Sequence, residues 1–155
     1  MRALRRLETR VPPPVLLALL GLAVWWLARG MPLQFPSPAL HWMGVVLMLA
    51  GVALNLLPKR GFRRVGTTVN PMRPAASTQL VTTGVYRYSR NPMYLGHVLV
   101  LIGWGLWLQT AWVLPAVLLQ LAWLRALQIG PEERALDQRF GDVYRAYCAQ
   151  VRRWL

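Results

Sequence analysis

Two stretches of this 155-residue chain carry no charged residue over the distance needed to cross a bilayer. Val11 to Ala28 reads VPPPVLLALLGLAVWWLA and Ala39 to Leu57 reads ALHWMGVVLMLAGVALNLL. A hydrocarbon core about 30 Å thick takes a helix of roughly 20 such residues, and its lack of water obliges the backbone to satisfy its own hydrogen bonds, which favours helices. A third apolar run extends from Leu95 through Leu108, within a span placed at 92–109. After the polar break Gln109-Thr110 a fourth span covers 112–129, interrupted by Pro115, Gln120 and Arg125. The expected fold is an all-α integral membrane protein with four transmembrane helices, at about 11–28, 39–57, 92–109 and 112–129, arranged as two hairpins in a single domain over 1–155.

Charge orients this arrangement. The chain has 18 Lys+Arg against 5 Asp+Glu, a net charge of +13. Arg2, Arg5, Arg6 and Arg10 precede the first span, seven bases lie between Pro58 and Asn91, and five follow Ile129, whereas the opposite loops hold Arg29 alone. The positive-inside rule then places both termini and the long loop in the cytoplasm. A nucleic-acid partner is disfavoured because the bases lie within a few residues of hydrophobic spans. Ala23 to Gly30, AVWWLARG, lacks a small-x-small cleavage site, so the first span reads as a retained helix. Cys148 is the single cysteine, and with His41 and His97 in different spans there is no ligand set for a metal. Gly-rich nucleotide loops and nucleophile elbows are missing too.

The loop at 58–91 exceeds an ordinary connection, and Pro58, Gly61, Gly66, Pro71, Pro74, Gly84 and Pro92 interrupt any continuous helix. Its mixture of Leu80, Val81, Val85, Tyr86 and Tyr88 with bases indicates an ordered segment packed against something. After Ile129, Gly130-Pro131-Glu132-Glu133 marks a helix start, with proline in the first turn and acids at the positive end of the dipole. Leu136, Phe140, Val143, Tyr144, Tyr147 and Val151 then form one apolar stripe of an amphipathic cytoplasmic helix over 131–153. Gly141 within it costs about 1 kcal/mol and reads as a close contact or kink, not an end.

The densest polar and aromatic cluster is LVTTGVYRYSRNPMYLG, Leu80 to Gly96. TTGVYRYSRNPMYLG followed by PEERALDQRFGDVYRAY resembles the isoprenylcysteine carboxyl methyltransferase family and the related phospholipid methyltransferases. Their pattern is roughly G-x-Y, R-H-P-x-Y-x-G, a hydrophobic hairpin, then E-E-x-x-L and F-G-x-x-Y-x-x-Y. The resemblance covers Gln79 to Arg152, and the first two spans share only hydropathy with it. It implies a membrane enzyme that binds S-adenosylmethionine at the cytoplasmic ends of the last spans. By that resemblance Gln79, Leu80, Val81 and Tyr86 line the cofactor, Asn91, Pro92, Met93 and Tyr94 form its next wall, and Glu132 is the cofactor-binding glutamate with Glu133 beside it.

Elementary chemistry supports these roles, since the cofactor needs an acid for its ammonium, a donor for its carboxylate and an apolar slot for its ring; Glu132, Arg90 and Tyr86 or Tyr94 are the right types. Plainer readings stand beside them. The two glutamates suit a helix dipole, Arg87 and Arg90 suit topology, and Tyr86, Tyr88 and Tyr94 suit an interfacial belt. Gly103-Trp104-Gly105 is similar to a Gly-x-Gly segment of phospholipid methyltransferases, with close helix packing the simpler account. Trp25, Trp26, Trp42, Trp104, Trp107 and Trp112 suit lipid, a second copy or substrate alike.

Two departures bear on the acceptor. Asn91 stands where the family has histidine, and Gln128 stands where the prenylcysteine enzymes carry an arginine for the substrate carboxylate. Arg125, one turn earlier, is the candidate replacement, which makes Arg125 and Gln128 the substrate-positioning pair. An amine acceptor needs deprotonating, and His97 is the nearby imidazole, otherwise a packed interface residue. The expected function is methyl transfer from S-adenosylmethionine to a lipophilic acceptor, isoprenylcysteine carboxyl methyltransferase-like. The alternatives are a phospholipid N-methyltransferase and a non-catalytic protein binding anionic headgroups.

Overall fold

The computed structural model describes residues 8, 10–31, 33–65 and 80–155, with the backbone alone for 59–65. In order these form α1 (Pro13–Gly30), α2 (Pro38–Val65), a 3-10 turn (Gly84–Arg87), α3 (Pro92–Trp107), α4 (Val113–Trp123), a π-helical segment (Leu124–Ile129), α5 (Gly130–Phe140) and α6 (Asp142–Gln150). Proline lies in the first turn of α1 and α3, where its missing N–H breaks no helical bond. Among the described residues three helical stretches are long and apolar enough to cross a membrane: Pro13–Gly30, Pro38–Pro58 and Val113–Phe140. The third expected span is the shorter α3, whose 16 residues rise about 24 Å.

Although it is short, α3 is the centre of the bundle, packed against α1, α2 and α4. Its contact with α2 is backbone on backbone. A Cβ on Gly44 would stand 2.6 Å from the Gly103 carbonyl, and one on Gly51 would stand 2.5 Å from that of Gly96. Seven-residue spacing on both antiparallel helices puts the two glycine pairs two turns apart on one seam. Gly103 therefore serves packing, and Gly105 likewise lies against Val113. Between them Trp104 points the other way, donating its indole N–H to the Gly21 carbonyl of α1 at 3.0 Å and stacking on Trp107.

α3 stops at Trp107, before the expected 109, because Gln109 turns with a φ of 55°. There the two interhelical loops are laced together: Phe35 donates to the Gln109 carbonyl and Ala111 to the Leu33 carbonyl, each at 3.0 Å, around a Gln34–Thr110 bridge. One apolar core joins Leu16, Leu20 and Val24 of α1 to Leu101, Val113 and Ala116. A second joins Tyr94 and Val98 to Leu124 and Ile129. One turn from both Ala116 and Leu124, the Gln120 side chain is fully buried, with neither amide atom partnered among the described residues. Trp26, Trp42 and Leu49 project outward as a bilayer-facing surface.

Three sequence expectations need correction. α2 runs through Pro58 to Val65, so residues 58–65 of the loop expected at 58–91 are helical; a proline inside a membrane helix forfeits one backbone bond without ending it. No new helix starts at Gly130, since the chain is helical from Val113 to Phe140. A π turn precedes Pro131, and the Gly130 N–H reaches back five residues to the Arg125 carbonyl. Proline has no N–H to donate and collides with the carbonyl four residues back in a regular helix, and the widened turn relieves both problems. The tail expected as one helix over 131–153 is two, α5 and α6, ending at Gln150. Gly141 separates them at a φ of 52°, a conformation that glycine adopts without strain. The turn folds α6 back so that Tyr144, Tyr147 and Val151 pack with Leu80, Leu136 and Phe140.

Candidate functional site

The start of α3, the π turn and the start of α5 converge at one end of the bundle. Tyr94, on the first turn of α3, is buried and donates its hydroxyl to Oε1 of Glu132 at 2.5 Å. Gln128, buried on the π segment, donates Nε2 to the same oxygen at 2.8 Å. No ion pair reaches Glu132 among the described residues, so this acid is held by two neutral donors.

Glu133 is treated oppositely. Arg153 grips it with Nε to Oε1 at 3.0 Å and Nη2 to Oε2 at 2.7 Å, a two-pronged charge-assisted contact. Arg90 adds a second cation, its Nη2 lying 3.5 Å from Oε1. Arg90 also donates from Nη1 to the Cys148 sulfur at 2.5 Å, while its Nε is buried without a partner among the described residues. Two adjacent acids therefore differ in state: Glu133 is neutralised by two guanidiniums and Glu132 is not.

Tyr86 lies on the 3-10 turn, and its carbonyl accepts the Tyr147 hydroxyl at 2.8 Å. Burial, reinforced by Tyr147 and then by Glu132, raises the Tyr86 hydroxyl well above its ordinary value, and burial pushes Tyr147 up to about 12. Both phenols thus stay protonated donors at neutral pH. Asn91 is buried, with its side-chain amide donating to the Arg153 carbonyl at 3.0 Å and its backbone N–H to the Ser89 hydroxyl at 3.1 Å. Pro92 and Val81 are buried, Met93 is half-buried, and Leu80 lies against the Tyr144, Tyr147 and Val151 cluster. Gln79 lies outside the described residues.

The structure thus gathers Tyr86, Arg90, Asn91, Pro92, Tyr94, Gln128, Glu132 and Glu133 at one end, and leaves Arg125 exposed, away from the buried Gln128. His97 is buried one turn deeper, its ring 6.3 Å from that of Tyr94. Sequence reasoning missed Ser89, Cys148, Arg153 and Trp154. The signal for Arg153 is the pair of bases Arg152-Arg153 after the tyrosine stripe, with nothing local to name Glu133 as its partner.

Apolar helices converging on half-buried acids, arginines and tyrosines define a membrane protein with a polar site at one helix end. The chain belongs to the phospholipid methyltransferase family, whose model matches residues 39–143, from the first turn of α2 into α6. That match takes in α2, which sequence reading had related by hydropathy alone. Membership assigns the chain to membrane methyltransferases that act on lipid. An uncharacterised protein of Haemophilus influenzae is 41% identical over 63 residues, which is 41% of this chain and 100% of that protein. No solved structure matches.

Proposed function

We propose that the chain transfers a methyl group from S-adenosylmethionine to a lipid acceptor, at the end of the bundle where Tyr94, Gln128 and Glu132 meet. The observation that carries this is the contrast between the two acids. A carboxylate withdrawn from water is costly unless compensated, and half-buried Glu132 has hydrogen-bond donors but no cation among the described residues, which suits it to receive a positively charged ligand.

The residues fit the cofactor's chemistry. Glu132 suits its ammonium, the Nε of Arg90, unpartnered among the described residues, suits its carboxylate, and Tyr86, Pro92, Met93 and Tyr94 offer an apolar and aromatic slot with Leu80 and Val81 on its edge. Asn91 belongs to the wall, its amide already donating to the Arg153 carbonyl. When bound, the cofactor supplies a methyl group on a sulfonium, open to in-line displacement. The protein's part is to align the acceptor with that bond and to exclude water.

An amine-bearing phospholipid headgroup suits this site better than a prenylcysteine carboxylate. Gln128 offers an amide already donating to Glu132, Arg125 is exposed, and Arg90 and Arg153 are both engaged by Glu133. His97 is the imidazole nearest the site for a proton leaving the amine. The distribution of bases supports four spans, α3 being a short one, with both termini and the site on the cytoplasmic side.

The test is calorimetric titration of detergent-purified protein with S-adenosylhomocysteine, beside Glu132→Gln. Micromolar binding that the mutant loses is expected. Well-folded wild type that binds nothing would overturn the reading, and tighter binding of anionic vesicles by the mutant would move the weight to a headgroup-binding protein.

A further inference from the structure

The chain leaves α6 at Gln150, and Val151 turns extended, with φ −122° and ψ 127°. The next residues run as a non-helical segment beside the residues that lead into α3. The Arg90 N–H donates to the Arg152 carbonyl at 3.0 Å, and the side chains of Ser89 and Asn91 donate to the Arg153 carbonyl at 3.5 and 3.0 Å. Val151 is anchored among Tyr144 and Tyr147 on one side. Trp154 packs on the other against the cluster of Tyr94, Val98, Leu124 and Ile129, so the segment bridges two hydrophobic clusters over the two acids. Between these anchors Arg153 forks onto Glu133.

We propose that Val151–Trp154 is a strap closing the cofactor pocket, with Arg153 and Trp154 as positioning residues. This rests on the cofactor reading above. Arg153 ties up the charge of Glu133 and leaves Glu132 as the carboxylate that a cationic ligand meets. Trp154 packs against the cluster that includes Tyr94, whose hydroxyl holds Glu132. Among the described residues the strap is fastened by two backbone bonds, side-chain bonds from Ser89 and Asn91, one forked ion pair and two apolar anchors, Val151 and Trp154. Segments held this lightly open locally without global unfolding, and lifting the strap exposes the pocket for exchange of cofactor and product.

The experiment combines S-adenosylhomocysteine calorimetry with hydrogen exchange at the Arg90 amide, whose acceptor is the strap, in wild type, Arg153→Gln, Arg153→Lys and Trp154→Ala. Arg153→Gln and Trp154→Ala should each weaken binding by about tenfold, the scale of losing a group that orients a ligand-holding side chain. Arg153→Lys should recover part of the loss, because it restores the charge without the fork. Exchange at Arg90 should slow when ligand binds wild type and stay fast in Arg153→Gln. Unchanged affinity in Arg153→Gln, or exchange at Arg90 indifferent to ligand in wild type, overturns the strap alone. Wild type that binds no S-adenosylhomocysteine overturns the cofactor reading and the strap with it.

Discussion

Gln128 donates its side-chain amide to Glu132 at 2.8 Å, from one end of a π turn to the helix that follows it. In the proposed function the pair ties the choice of acceptor to the binding of the cofactor, because the residue that a carboxylate acceptor needs as a cation is here a neutral donor to a half-buried acid. Replacing Gln128 with arginine should reverse the logic. A guanidinium four residues before Glu132 would pair with it, and a buried carboxylate that already has a cation gains little from a second. Gln128→Arg is expected to hold or raise thermal stability while lowering S-adenosylhomocysteine affinity by about tenfold, roughly 1.4 kcal/mol. Thermal unfolding and calorimetry on the same preparation read both quantities, and undiminished affinity would show that Glu132 does not receive the ligand's cation.

The glycine seam between α2 and α3 predicts where the bundle is intolerant. A Cβ at Gly51 or Gly103 meets backbone or side-chain atoms inside 3 Å, whereas one at Gly30 meets nothing within 4 Å. Gly51→Ala and Gly103→Ala must spread two helices in backbone contact and should each cost about 1–3 kcal/mol, the range for overpacking. Gly30→Ala should be close to neutral. Comparing unfolding midpoints of the three variants in one detergent checks the ordering, and equal midpoints would contradict the seam.

Gln120 calls for the opposite experiment. Its amide is fully buried in mid-bundle with neither polar atom partnered among the described residues. An unmet buried polar group carries a penalty of about 1–3 kcal/mol, and an apolar side chain of similar volume removes it. Gln120→Leu should therefore raise stability. A drop in the unfolding midpoint would instead show that the amide is engaged, by an ordered water or by a segment beyond those described.

Much of the fold was legible because a bilayer demands apolar length, and the runs that became the three helices long enough to cross carry that signal in contiguous residues. The acids and the Tyr86 to Tyr94 stretch were legible for a related reason, since each lies in a short local pattern. What escaped is what depends on distant partners or on a single irregular turn. The glycine seam needs the register between two helices. The π turn displaces helical periodicity by only one residue before Pro131, where it resembles an ordinary helix start. Gly141 was weighed by its helix propensity, while its positive φ is set by the packing of α6 onto Leu80 and Leu136. Arg153 and Trp154 owe their places to the chain turning back after Gln150, which nothing in their own neighbourhood announces.

The buried tyrosines make a prediction about alkaline pH. Burial raises the Tyr147 phenol from the usual 10 to about 12, so in the folded protein it stays protonated where in the unfolded chain it has ionised. Between these values the unfolded state binds fewer protons, and stability falls as pH rises. The contribution of Tyr147 is fully present below pH 10 and is lost progressively towards 12, and Tyr86, raised for the same first reason, acts in the same direction. Tyr147→Phe keeps the ring but deletes both the ionisable group and the hydrogen bond to the Tyr86 carbonyl. It should lower stability at pH 7 by about 1 kcal/mol, the net worth of one hydrogen bond, and should flatten the alkaline limb. Denaturant unfolding of both proteins from pH 7 to 11 tests this, and parallel curves across that range would mean that Tyr147 ionises alike in both states.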